Sequence, residues 1–187
     1  MNPATTTLRR EHDAILRMLD VTEEVARQLN AGRPVTPDTL SDVLEFFRLF
    51  ADRCHHGKEE ELLFPLLERK GLPRAGGPVG VMLSEHEEGR ALVREMGEAA
   101  EAFRTGTAGA GRRWAAAARR YADLLRDHIA KENNVLFVMA ENLLTPAEQA
   151  EMAAAFEKVE EEKMGAGTHE RLHALMDKLA AEYLRAA

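Results

Sequence analysis

The stretch Cys54-His55-His56-Gly57-Lys58-Glu59-Glu60-Glu61-Leu62-Leu63-Phe64-Pro65 decides how this chain is read. It lies in a run whose apolar residues are Leu40, Val43, Leu44, Phe47, Phe50, Ala51, Cys54, Leu62 and Leu66. At about 100° per residue these positions share one face of a helix. His55 falls inside that face, and Glu59, one turn on, falls at its edge. His56 and Glu60 are rotated further, towards Glu45 and Asp52. A core imidazole followed by a carboxylate at the core edge is costly unless the pair is satisfied by a partner or a metal.

The same spacing returns in His128 and Glu132, within an apolar face made of Tyr121, Leu124, Leu125, Val135, Leu136 and Met139. Two more helical faces carry one histidine each. His12 is flanked by Leu8, Ile15, Leu16 and Leu19, and His86 by Met82, Leu83 and Val93. The series is a lone His, a His-x-x-x-Glu, a lone His and a second His-x-x-x-Glu.

The 187 residues suffice for one domain with a core of its own. Ala and Leu are plentiful and β-branched runs are absent, so the class is all-helical. The formal charge of −7, without a basic stripe, argues against a nucleic-acid binder. No apolar run is long enough to span a bilayer. The amino terminus has no hydrophobic signal region, and the single Cys fits a reducing compartment, so the cytoplasm is the expected location.

Helix signals divide the chain further. The Thr5–Thr7 cluster offers caps for a first helix that ends near Asn30-Ala31-Gly32. Thr36-Pro37-Asp38 opens a second, which Pro65 should kink or end. Gly71 to Pro78 reads as a loop, and helices follow over 79–104 and 112–143. Thr145-Pro146-Ala147-Glu148 is a capping box that opens a fifth helix over 146–164. Gly165-Ala166-Gly167 breaks it before a sixth, over 168–185, that Thr168 is placed to cap. If successive helices run up, down, up and down, His12, His55, His86 and His128 fall at similar heights, with the fit poorest across the second connection. Four imidazoles and two carboxylates at one height form a metal site. Imidazole suits Fe, Zn, Cu and Ni, and two Glu residues from different helices can bridge a metal pair. Ferritin-type sites need Glu-x-x-His twice, and only Glu170 to His173 supplies it, once.

The combined pattern resembles the hemerythrin-like proteins with His-His-Glu cation-binding domains. The residues that carry the likeness are His12 in Arg-Glu-His-Asp, His55 and Glu59 in His-His-Gly-Lys-Glu-Glu-Glu-Leu-Leu-Phe-Pro, His86 in Ser-Glu-His-Glu-Glu, and His128 with Glu132 in Asp-His-Ile-Ala-Lys-Glu-Asn. The Leu-Phe-Pro ending sets the register in favour of His55 and Glu59 over His56 and Glu60. The likeness covers roughly residues 5–143. It implies an up-down-up-down four-helix bundle over 1–145, to which 146–187 add two carboxy-terminal helices packed on the same domain. It also implies two iron ions with carboxylate bridges, zinc or manganese being other occupants.

Oxygen-carrying members of that family place another His four residues after the third-helix ligand, where this chain has Arg90. Three candidates fill the gap: His169 from the sixth helix, His56 beside the main ligand, and solvent or substrate. The wheel favours His169 over His56. Members of the family bind O₂ reversibly, sense O₂, NO or iron, or act on peroxide. The expected partner is therefore a small diatomic molecule or peroxide. An enzyme and a sensing or iron-storage module without turnover both fit, against a structural helical protein with incidental metal.

Overall fold

The computed structural model describes residues 2–184, and among them every regular element is helical. The first helix spans Pro3–Asn30. The second occupies residues 37–69, with α-helical ends at Pro37–Phe46 and Phe64–Arg69 and π-helical turns at Phe47–His56 and Glu59–Leu63. The third is Pro78–Arg104. The fourth covers 110–143, as Ala110–Lys131, a π-helical Glu132–Leu136 and Phe137–Leu143. Pro146–Met164 and Thr168–Tyr183 are the fifth and sixth. No helix among the described residues is long and apolar enough to cross a membrane.

Two of the expected caps are present. Thr36 Oγ1 accepts from the Thr39 amide at 3.2 Å, and Thr145 and Glu148 form the reciprocal capping box. The other two differ. The first helix begins at Pro3 without a side-chain cap, and the Thr5 hydroxyl donates to the Asn2 carbonyl and to Glu141 instead. Thr168 is already inside the sixth helix, whose entry is Gly167 at φ 76°, a conformation that glycine adopts without strain. Pro65 does not end its helix. It lies in the first turn of an α-helical segment directly after a π-turn, where the ladder changes register and its missing N–H does least harm.

Packing separates two apolar clusters. One gathers Ile15, Met18, Leu19, Phe47, Phe50, Trp114 and Leu125 with Leu172, Met176 and Leu179 of the sixth helix. The other gathers Leu8, Leu63, Phe64, Met82, Leu136 and Phe137 with Met152 and Phe156 of the fifth. Along the first and fourth helices the His and Glu candidates fall between these clusters, His12 between Leu8 and Ile15 and Glu132 between Ile129 and Leu136. The polar layer therefore lies in the interior of the fold, with apolar packing on both sides.

Candidate metal centre

The four helices that carry the candidates pack as neighbours: first with second, second with third, third with fourth, and fourth with first. That closed circuit brings His12, His55, His56, Glu59, His86, His128 and Glu132 together, each no more than 4 % exposed. Their ligand atoms form two groups. His56, Glu59, His86 and His128 make one, and His12, His55, Glu59 and Glu132 the other. Glu59 belongs to both. Its Oε1 lies 3.6 Å from His55 Nε2 and its Oε2 3.5 Å from His86 Nε2. Glu132 also faces both sides, with Oε2 3.1 Å from His12 Nε2 and 3.3 Å from His128 Nε2.

Each of the four principal imidazoles is held by its Nδ1, and always by the residue next to a candidate on the adjoining helix. His55 donates to Glu11 at 2.8 Å, His86 to Glu60 at 2.7 Å, and His128 to Glu85 at 3.0 Å. His12 closes the circuit by donating to Asn133 Oδ1 at 2.9 Å. Each acceptor is held in turn by a cation about one turn from the histidine it serves. Lys58 bonds Glu11, Arg90 bonds Glu60, Lys131 bonds Glu85, and Arg9 bonds Asn133. With Nδ1 committed as donor, every Nε2 presents a lone pair to the centre, the arrangement that metal-ligating histidines adopt.

Electrostatics follow from this layout. Burial works against charge on Glu11, yet the His55 hydrogen bond and the His55 and Lys58 charges bring its pKa down to about 2. Burial likewise opposes ionisation of Glu132, and His128 and His12 bring it to about 2. His86 is disfavoured as a cation by burial, but the Glu59 carboxylate 3.5 Å away and the Glu60 hydrogen bond raise it to about 9. His56 goes the other way. Burial and the neighbouring His86, His55 and His128 push it well below the imidazole range.

The donor set fits a metal. Both oxygens of Glu59 and of Glu132, Nε2 of His12 and His55, and Nδ1 of His56 are buried without a hydrogen-bond partner. His86 Nε2 and His128 Nε2 face one another at 3.1 Å, close enough to share a proton or to ligate one cation. The hemerythrin HHE cation-binding domain profile matches residues 4–140. This chain belongs to the hemerythrin family. This hemerythrin-domain chain is 27 % identical over 158 residues to an uncharacterised Mycobacterium bovis protein, spanning 84 % of this chain and 61 % of the relative. It is 31 % identical over 140 residues to an iron-sulfur cluster repair protein of Edwardsiella ictaluri, covering 70 % of this chain and 59 % of that one. A Neisseria gonorrhoeae protein, also named for iron-sulfur cluster repair, is 38 % identical over 85 residues, covering 44 % and 54 %. In each case the chain spans less than two thirds of the relative's own length.

Two sequence expectations read differently in the structure. His169 is in neither buried group. Its ring lies tilted against Phe50, centroids 5.3 Å apart, and it forms a separate, shallower set with Glu11 and Glu160. His56, expected towards solvent, is 4 % exposed and stacks on His86 at 3.8 Å. Its neighbour His55 serves the other group. Two consecutive histidines both reach the interior because the backbone there is π-helical, wider than the α-turn on which the wheel was drawn. Cys54 is a buried thiol whose pKa burial pushes up to about 12, in keeping with a small core hydrophobe. Sequence reasoning missed the four acceptors Glu11, Glu60, Glu85 and Asn133. Their signal was adjacency: each sits immediately beside a candidate ligand.

Proposed function

We propose that this hemerythrin-domain protein holds two iron ions and binds or reacts with O₂, NO or peroxide there. In this reading, residues 1–145 form an up-down-up-down bundle around the metal pair, and 146–187 form a helical extension of the same domain. His12 and His55 would hold one ion, His56, His86 and His128 the other, and Glu59 and Glu132 would be available to both. One observation carries it: imidazole nitrogens and carboxylate oxygens from four helices converge in an apolar interior, and those of His12, His55, His56, Glu59 and Glu132 have no hydrogen-bond partner.

Bound iron would supply the redox and ligand-binding chemistry. The chain's residues supply everything around it. Glu11, Glu60, Glu85 and Asn133 fix each ring by Nδ1, so the imidazoles stay oriented with Nε2 towards the centre. Leu8, Phe64 and Phe137 on one side and Phe50 on the other, all buried, keep bulk water away. Lys58, Arg90 and Lys131 hold the three carboxylate acceptors in place by ion pairs.

Elemental analysis of protein made in iron-replete cells, with absorption spectra before and after reduction and O₂ exposure, tests the reading. The expected result is two irons per chain and a spectrum that responds to O₂, NO or peroxide. Glu59→Ala and Glu132→Ala should each lose at least one ion, and full metal content in both variants would remove the bridging role. A second reading, iron holding and release without turnover, is favoured by the iron-sulfur repair names of two relatives. Iron that passes to a chelator on demand while peroxide is not consumed would select it.

A further inference from the structure

Outside the buried layer, a second group of donors gathers where the fifth and sixth helices meet the first. His169 and His173 are four residues apart on the sixth helix, so both rings leave it on one face. Paired histidines that ligate zinc from a helix have this spacing. Their ring centroids lie 4.6 Å apart, and both rings pack against Phe50, at 5.3 and 5.2 Å. Glu160 of the fifth helix faces them, with Oε1 3.6 Å from His169 Nδ1. That separation is too long for a hydrogen bond. It is close to the edge of a zinc tetrahedron, about 3.4 Å for two donors each about 2.1 Å from the ion. All three side chains line a cavity of about 300 Å³ together with Thr7, Arg10 and Glu11.

Lys58 already serves this corner, and its position decides which oxygens remain. Its ammonium bonds Glu11, whose other oxygen accepts from His55, and it reaches Glu160 Oε2 at 3.0 Å. Glu11 is thereby engaged at both oxygens, while Glu160 Oε1 is left turned towards His169. The charge balance favours a further cation. An adjoining cavity shares Glu160 and His169 and adds Glu157, Glu161 and Glu170. With Glu11 that makes five carboxylates, against Lys58 and Arg10 as the cations lining or bonding the same corner, an excess of three negative charges. Burial and the adjacent His169 keep the pKa of His173 below 6.5, so at neutral pH its ring is uncharged and able to ligate.

We propose that His169, His173 and Glu160 form a mononuclear site for a divalent transition ion of the zinc class, separate from the buried centre, which ties the sixth helix to the fifth. Two imidazoles and one carboxylate are a donor set that zinc takes, with the fourth position left to water. Glu11 stays outside the set as the inner wall of the cavity. The tie has a mechanical role. Gly165 at φ 77° and Gly167 at φ 76° interrupt the backbone between the two helices, so no continuous helical ladder joins them. An ion held from both sides of that break closes it. The site uses none of the buried ligands and does not rest on the metal-centre reading above.

Calorimetric titration of the full chain with zinc chloride, its own metal retained and bound metal counted by elemental analysis, tests the site. Wild type should bind one zinc per chain more than H169Q/H173Q, with the remaining metal content equal in the two. E160Q, whose amide oxygen can still accept from Lys58, should weaken that zinc by at least the roughly 10–100-fold that loss of an outer-sphere partner costs. If the double variant melts lower than wild type without zinc, H169Q alone, which keeps one ring on Phe50, carries the comparison. Zinc should also slow amide exchange over 168–183 in wild type and leave it unchanged in H169Q/H173Q. Equal zinc counts in wild type and the histidine variants would overturn the site. Zinc held by the histidine pair with no change in exchange over 168–183 would overturn the tie alone. The proteins compared share every buried ligand, so failure of the metal-centre reading alters the metal content of all alike and leaves the difference between them to decide.

Discussion

Glu11 accepts from His55 Nδ1 and from the ammonium of Lys58, which is itself fully buried. Lys58 has one further partner, Glu160 at 3.0 Å on the fifth helix. Removing Glu11 therefore leaves a buried cation with Glu160 as its one carboxylate partner. Glu11→Ala should cost about 3–5 kcal/mol in urea unfolding of metal-free protein, and adding Lys58→Met should recover much of it. Arg90→Gln should act more gently, loosening Glu60 and hence His86, with metal affinity reduced about 10–100-fold in a competition titration. At this scale the sequence was legible where spacing spoke. His12, His55, Glu59, His86, His128 and Glu132 all stand out as polar residues on apolar faces. Glu11, Glu60 and Glu85 did not, because an acid on the flank of a helix looks like any solvated acid until the adjoining helix is in place. Arg90, read as a missing ligand, is the cation that secures Glu60.

The helices were legible as elements, and their caps partly so, but their twist was not. Each shared carboxylate opens a π-helical turn, Glu59 in Glu59–Leu63 and Glu132 in Glu132–Leu136. Such turns recur at functional sites and take up extra chain. Beyond them the buried stripe is displaced by about one residue from its α-helical course. Leu63, Phe64 and Leu67 are buried where the wheel placed Leu62 and Leu66, and Phe137 is buried where it placed Val135. Substitution separates the two registers. Phe137→Ala should cost about 3–5 kcal/mol, while Val135→Lys, at a position 50 % exposed, should stay within about 0.5 kcal/mol in the same denaturant assay. The fifth helix offers a pH test. Hydrogen bonds from Lys70 and from Thr145 lower Glu148 from 4.5 to about 2. A carboxylate with a depressed folded pKa contributes stability that is full above 4.5 and lost as pH falls from there through about 2. The Tm gap between wild type and Glu148→Gln should accordingly be present at neutral pH and close over that interval.

For the molecule as a whole, a layer of partnerless buried donors and acceptors makes the metal a structural component. Metal-free protein should melt well below the loaded form, with the gap growing with free metal concentration in differential scanning calorimetry. Acid should release the ions, because protonated imidazoles do not ligate. The carboxy-terminal helices belong to the same body, since Leu172, Met176 and Leu179 pack with Ile15 and Phe50, and Phe156 packs with Leu8 and Phe137. Truncation after Met164 should lower stability by several times the 2–4 °C that about 1 kcal/mol is worth in Tm. The circuit of Nδ1 bonds has a further consequence. Every one of the first four helices holds its neighbour's histidine while its own is held by the neighbour on the other side. None can open alone without releasing two imidazoles, so the four share one fate. Amide hydrogen exchange along them should report a single opening event, with the same free energy at Met18, Phe50, Met96 and Leu125.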